Sequence, residues 1–355
     1  MKRPGFLISA MILVTCVILG CSKKEENPLP VERKKCAWVA GMPDSTGYGM
    51  ILYSADGGDT WVRQGGGTPA LQGISVSDIW AVDENTVWAV CSGNVVLKTT
   101  DGGKTWTRIQ MPANDPGTEL MAISIVNKTN LWISGSGGTV YNSTNNGITW
   151  ALFDTAFFHN GQMQGIWAIT PRKVYVVGGF GNGALRGFIG YTLDGGVTWD
   201  TVNPTNNYNK NEWISVTASG NTVVVYGSQS HYMVTTDGGA TWKNDSIIGA
   251  AGGSMPADIN HLIMLNPQTW WGAMDMGHIR LTTNGGTSWI PQETGQGGEF
   301  LVGIDAWDSQ LALTVGTIAG WPPVGYILKT SNGGTNWIPG KAYRSNLSKV
   351  SFIKQ

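Results

Sequence analysis

The stretch "TTDGGKTW", residues 99–106, decides the fold. Two glycines, one acid and a closing Trp allow three readings: a phosphate-cradling loop, a calcium loop or a structural turn. Repetition separates them. The pattern is written seven times, as "YSADGGDTW" (53–61), "KTTDGGKTW" (98–106), "NSTNNGITW" (142–150), "YTLDGGVTW" (191–199), "VTTDGGATW" (234–242), "LTTNGGTSW" (281–289) and "KTSNGGTNW" (329–337). A phosphate loop needs G-x-x-x-x-G-K-[ST] after a strand. "DGGKTW" lacks the first glycine at that spacing, and six copies have no Lys in place. A calcium loop converges several carboxylates and carbonyls on one ion. Here one box position carries the acid, and three of the seven copies have neutral Asn there. The turn reading remains. Asp or Asn can accept hydrogen bonds from backbone N–H groups just downstream. The next two positions, Gly-Gly in six copies and Asn146-Gly147 in the seventh, suit positive φ. A left-handed backbone is expected there, with the Trp covering the turn.

The closing Trp recurs at 61, 106, 150, 199, 242, 289 and 337, at intervals of 43 to 49 residues. Upstream of the copies lie apolar runs bounded by Gly, such as "VWAV" (87–90), "LWISG" (131–135) and "VYVVGG" (174–179), which read as buried strands. Another strand precedes each one. A period of about 40–50 residues with four short strands per unit is that of a β-propeller. The expected fold is all-β: a seven-bladed propeller whose blades run strand A, strand B, strand C, box, strand D. The first unit begins at its strand B, "CAWVAGM" (36–42), while "LSKVSFIKQ" (347–355) is a strand A at the far end. Val350 and Phe352 should therefore pair with the strand holding Trp38 and Val39, closing the ring and leaving only short, protected edges.

The repeats resemble the Asp-box, or BNR repeat, found in sialidases, some glucanases, sortilin-type receptors and photosystem II assembly factors. The resemblance covers about residues 36–355. It implies that each box is the hairpin between the third and fourth strands of a blade. The spacing and the Gly-Trp strand pattern are most similar to the photosystem II assembly-factor-like propellers, whose role is to chaperone assembly. Nothing in the sequence implies photosynthesis. The resemblance to sialidases does not carry their chemistry, because no Arg-Ile-Pro signature occurs. Arg63 and Arg108 fall on D strands and Arg172 in an A–B turn, so no central arginine triad forms.

The chain begins "MKRPGFLISAMILVTCVILGCSKKEE". A basic start and an apolar run from Phe6 to Leu19 read as a signal peptide, since a membrane span needs about 20 apolar residues. Ile18-Leu19-Gly20-Cys21 resembles a bacterial lipobox, which implies a lipid on Cys21. Ser22 follows, with no Asp at that position to retain the protein in the inner membrane. The Lys-Glu-Glu run resembles a surface-export signal, which points to the outer membrane and the cell surface. The expected organisation is a signal peptide over 1–20, a flexible tether over 21–35 and the propeller over 36–355. Only 13% of residues are charged, against about 25% in ordinary soluble domains. No basic stripe offers itself to nucleic acid. Cys36 and Cys91 remain after processing. Neighbouring-strand alignment of Trp38 with Trp88 sets them about 16 Å apart along the sheet, beyond the roughly 7 Å a disulfide allows. Two free, buried thiols are expected.

The boxes are regular, so variation falls on the opposite face, formed by the D–A and B–C loops. Phe157, Phe158, Phe180, Arg186, Tyr208 and Trp321 lie in those loops. Exposed aromatics beside an Arg are typical of recognition surfaces. They are the candidate binding residues, for a protein or glycan partner. No catalytic residue, metal ligand set or cofactor is expected, and the membrane is reached through the N-terminal lipid alone. The alternative is a secreted glycoside hydrolase with paired carboxylates; Glu119, Glu212 and Glu299 each precede a strand A, where solvated loop acids are the simpler reading. His231 and His278 each stand six residues before a box Asp or Asn. They should occupy equivalent positions in adjacent blades, too far apart to share a metal. Cys21→Ala should abolish incorporation of a fatty-acid probe; equal labelling of both forms would refute the lipobox.

Overall fold

The computed structural model describes residues 34–112, 118–153, 158, 161–180, 186–202, 213–247, 257–292, 294, 299–318 and 323–353, with backbone only for Phe180, Arg186 and Glu299. Among these residues 28 strands pair into seven antiparallel sheets of four. Each sheet is one blade. Blade 2 is typical: strand A Val76–Ala81, B Val87–Cys91, C Val95–Thr99 and D Thr107–Gln110. Strand B is buried at all five positions, because both faces of its sheet are covered by neighbouring blades. That is why such strands read as unbroken apolar runs rather than as alternating ones. Strand D is mostly exposed and forms the outer edge. The A strands of all seven blades line one axial cavity.

Blade 1 is assembled from both ends of the propeller. Its sheet runs Leu347–Phe352, Ala37–Gly41, Met50–Ser54, Val62–Arg63. The register pairs Ala37 with Phe352, Trp38 with Ser351 and Val39 with Val350, as the sequence predicts. Phe352 is buried and its ring meets Trp307 of blade 7 with centroids 6.0 Å apart. Cys36 and Cys91 are free and buried, as expected. Burial raises the pKa of both thiols.

One regular feature has no counterpart in the sequence reading. Every A–B pair carries a register shift, in blade 2 between Val76 and Asp78 and in blade 7 between Leu301 and Gly303. Such a bulge adds a residue to one strand and re-aims side chains. Here it sits beside the axis in each blade.

Ring closure joins segments about 300 residues apart in sequence, so it carries a loop-entropy cost and should form late in folding. Deleting residues 346–355 should lower the melting temperature and promote aggregation by exposing the edge of strand 37–41. Phe352→Ala should cost about 3–5 kcal/mol as a large-to-small core change. Thermal melts and light scattering of both variants test this, and an unchanged melting temperature in the truncated chain would contradict closure.

Candidate functional site

The boxes are C–D hairpins that satisfy their own polar groups. In blade 2, Thr105 donates to Asp101 from its N–H (2.9 Å) and its hydroxyl (2.6 Å). The Thr99 hydroxyl donates to the same carboxylate (2.8 Å) and accepts from the Gly103 N–H (2.9 Å). The hydroxyl two places before the acid is thus a second organiser of the turn, present in all seven copies as Ser54, Thr99, Ser143, Thr192, Thr235, Thr282 and Thr330. Two of the three Asn boxes use the same frame with one bond reversed: Asn145 accepts from the Thr149 N–H (2.9 Å) and its amide donates to the Thr149 hydroxyl (2.8 Å), as Asn284 does to Ser288, while Asn332 accepts only from the Asn336 N–H. Both residues after the acid hold positive φ in every copy, with Asn146 at 61° in place of the first glycine. The first of them donates to the A–B turn of its own blade, as Gly102 N–H does to Asn85 O (3.0 Å). Bonds from the Thr105 hydroxyl, the Thr105 N–H and the Thr99 hydroxyl hold the Asp101 carboxyl down at about 2. The equivalent bonds from Thr198 and Thr192 hold Asp194 there too.

The box Trp does more than cover its own turn. Its ring packs edge-on against an aromatic of the preceding blade: Trp106 on Trp38, Trp150 on Trp88, Trp199 on Trp132, Trp242 on Tyr175, Trp289 on Tyr232 and Trp337 on Trp271. Their centroids lie 5.7–6.4 Å apart at 73–84°. The second box glycine touches the same ring in blades 2, 3, 5, 6 and 7, while Gly196 of blade 4 meets Phe153, which stacks on Trp132. A Cβ on Gly103 would stand 2.7 Å from the Trp38 ring, and one on Gly147 would stand 2.4 Å from Trp88. At the junction of blades 7 and 1, Leu313 takes the place of the ring.

The axial cavity has a volume of about 450 Å³. It lies toward the end of the A strands that leads into the A–B turns. Its wall is mixed. Trp80 of blade 2 and Trp167 of blade 4 meet with centroids 5.5 Å apart, across blade 3, whose equivalent residue is the small Ser124. Trp307, Met264 and Ile353 add apolar surface, and Asp78, His261, Asp305 and Lys349 add polar groups. Several of the polar groups bond across to the next blade. Asp78 accepts from Ile123 N–H (3.0 Å), Ser124 from Ala168 N–H (2.9 Å), His261 from Ile304 N–H (3.1 Å), Asp305 from Phe352 N–H (2.8 Å) and Ser351 from Ala81 N–H (3.2 Å). These bonds staple five of the seven junctions by satisfying N–H groups on the inner strands.

Among the described residues the acids that line the axial cavity are Asp78 and Asp305. Glu119 is exposed just before its strand A, Glu299 opens one, and Glu212 lies outside the described residues. An acid inside an otherwise apolar strand A, as in "VSDIWA" and "GIDAW", was the available signal. His231 and His278 do occupy equivalent places, each following a three-residue 3-10 turn, Ser228–Ser230 and Asp275–Gly277.

Of the candidate binding residues, Phe158 is a correction. It is 1% exposed, with its ring edge-on to Trp199 (4.9 Å) and Phe188 (5.9 Å). It folds back from the D–A loop into the core of blade 4. Phe180 ends strand B and Arg186 begins strand C of that blade, paired with each other at the B–C end. Cys21, Phe157, Tyr208 and Trp321 lie outside the described residues.

Residues 31–154, which span the first three blades, match the family described as photosynthesis system II assembly factor YCF48. No curated protein matches the chain. Among solved structures, YCF48 bound to D1 peptide aligns with a TM-score of 0.60 at 15% identity, over 85% of this chain and 86% of that one. YCF48 from Cyanidioschyzon merolae aligns at 0.57 and 17% identity, over 75% and 84%. The GH74 xyloglucanase from Xanthomonas campestris aligns at 0.59 and 14% identity, over 92% of this chain and 55% of the enzyme. The chain is thus similar in sequence to the assembly-factor family over three blades, and similar in fold over most of the ring.

The depressed box carboxylates set a pH dependence. An unfolded Asp titrates near about 3.9, so their stabilisation is complete above about pH 4 and is lost as pH falls through about 2. The double variant Asp101→Asn, Asp194→Asn should melt close to the wild type at pH 7 and lose less stability between pH 5 and 2. Calorimetry across that range checks it, and an equally steep acid loss would contradict the assignment. Trp106→Ala should cost about 3–5 kcal/mol, because it empties an inter-blade contact.

Proposed function

We propose that this chain is a lipid-anchored, non-catalytic binding module of the bacterial envelope, whose propeller holds a segment of a protein partner on its D–A/B–C face. The carrying observation is the likeness, over 85% of the chain, to a propeller solved with a peptide bound. The axis supports the reading. Asp78 and Asp305 each accept one N–H from their own strand and one from the next blade, which is a use in architecture rather than in acid–base work. The lipobox-like stretch ending at Cys21 and the polar tether after it support a membrane anchor, with the export-like run favouring the outer membrane.

A second reading is a glycoside hydrolase acting on a glycan. It draws on the alignment with the xyloglucanase and on the indoles of the axial cavity. Two measurements on the full, detergent-solubilised chain separate the two. Crosslinking in envelopes followed by mass spectrometry should enrich one protein reproducibly and lose it on competition with soluble propeller. Incubation with xyloglucan and other β-glucans should release no reducing sugar. Sugar release proportional to protein concentration would move the conclusion to the hydrolase.

A further inference from the structure

We propose that the axial cavity is a binding site for a small uncharged ring compound, held by its flat apolar face against the half-buried indoles of Trp80, Trp167 and Trp307. The cavity lies at the box end of the axis, away from the D–A/B–C loops. The inference therefore does not rest on the protein-binding reading above.

The 17 tryptophans fall into groups. Seven close the boxes. Six more, Trp38, Trp88, Trp132, Trp213, Trp270 and Trp271, are fully buried. Trp321 lies outside the described residues. Trp80, Trp167 and Trp307 remain, and all three line the axial cavity. Each is only half-buried. Neither a box nor a core position accounts for the indole surface they leave open.

Trp80 and Trp167 occupy equivalent places in blades 2 and 4. Trp80 pairs with Trp88 of strand B, and Trp167 with Tyr175. At the same register blades 1, 3 and 7 hold Ser351, Ser124 and Asp305. Those three side chains each accept an N–H of the next blade. An indole has a donor and no acceptor, so blades 2 and 4 cannot make that bond from this position. Instead the two rings meet, with centroids 5.5 Å apart and planes at 55°, and form one aromatic wall across blade 3. Trp307 follows the last residue of its strand A and stands edge-on to Phe352. It extends the apolar wall toward the turns.

The rest of the wall selects the ligand. Two carboxylates, Asp78 and Asp305, share it with Lys349 and His261. Both signs of charge are present, so an ion of either sign meets repulsion as well as attraction, and a neutral ligand meets neither. Each carboxylate oxygen already accepts a backbone N–H: in Asp78 from Ile79 and Ile123 (2.8 and 3.0 Å), in Asp305 from Ala306 and Phe352 (2.9 and 2.8 Å). His261 Nδ1 is taken by the backbone of Ile304. A ligand with many hydroxyls finds few partners on such a wall. Water before an indole face is poorly held, and its displacement by an apolar ring favours binding. The volume of about 450 Å³ lies within the roughly 300–1,000 Å³ usual for small-molecule sites.

The test uses the full, detergent-solubilised chain and saturation-transfer NMR titrations, with protein-free micelles as the blank. Three probes share one ring: benzyl alcohol, benzoate and benzylammonium. The alcohol should bind, and each ion about threefold more weakly or worse, since it must shed hydration to enter. Glucose should bind far more weakly than the alcohol. Trp80→Ser should fold, because serine stands at that register in blades 1 and 3, and should weaken the alcohol roughly tenfold. Trp167→Thr, which copies Thr217 of blade 5, is the second variant and should do the same. Alcohol bound equally by either folded variant would overturn the site, as would a wild type that binds no probe. A preference for either ion, or glucose bound as tightly as the alcohol, would overturn the uncharged apolar ligand.

Discussion

The structure depends on one contact, made again at each junction of the ring. The second glycine of each box lies against a side chain of the preceding blade, and in six of the seven boxes the Trp turns its edge to an aromatic ring of that blade. The contact couples two requirements. The turn needs a left-handed backbone at the glycine, and the neighbouring ring needs the space a Cβ would fill. Alanine at Gly103 would violate both, since φ there is 83° and the new carbon would fall 2.7 Å from Trp38. Edge-to-face aromatic pairs add about 0.5–1.5 kcal/mol each beyond burial. Blade 5 shows that the contact is not tied to one strand. Its strand B offers Val224, and Tyr232 of strand C supplies the ring instead, donating its hydroxyl to Gly286 O (2.9 Å).

The boxes work far from the axis. Near it the inner strand of every blade presents a free edge, which is a liability in any sheet. The bulges and staples meet that need. Each staple uses a short acceptor, Ser, Asp or His, in an otherwise apolar strand to bond an N–H of the next blade. A buried N–H left without a partner costs about 1–3 kcal/mol. The polar residues at the axis are therefore part of how the ring holds together. The junction between blades 7 and 1 carries both devices, with Asp305 bonded to the Phe352 N–H and Leu313 under the box of blade 1. A ring closed by two separate chain segments is secured there at its inner edge and at its rim.

Much of this was legible in the sequence because its determinants are local and repeated. The acid, the glycine pair and the Trp specify a hairpin within nine residues. Seven spaced copies specify a propeller, and the unpaired strands at residues 37–41 and 347–352 specify how it closes. What could not be read was whatever depends on the neighbouring blade. Trp106 meets Trp38, and no spacing rule links those two positions. The hydroxyl of Thr99 stood in plain view, yet its role is set by the fold of the turn around it. Asp78 and Asp305 resemble the outward-facing polar residues of an alternating strand, and their bonds to Ile123 and Phe352 depend on the neighbouring blade. Phe158 shows the limit for loops. "DTAFFHNGQ" has the composition of a recognition surface, and composition does not say which ring turns back into the core.

The two faces of the ring are thereby left with different freedom. On the box face, turn chemistry, inter-blade packing and the bond to the A–B turn converge on the same few residues, so a change there disturbs a whole junction. The D–A and B–C loops carry no such repeated constraint. Sequence can vary there at small cost to the ring, and strain can be tolerated. A bulky residue held in the left-handed region costs about 1–3 kcal/mol. Met276 keeps an unfavourable φ of 60° on this face, where no repeated box contact depends on it.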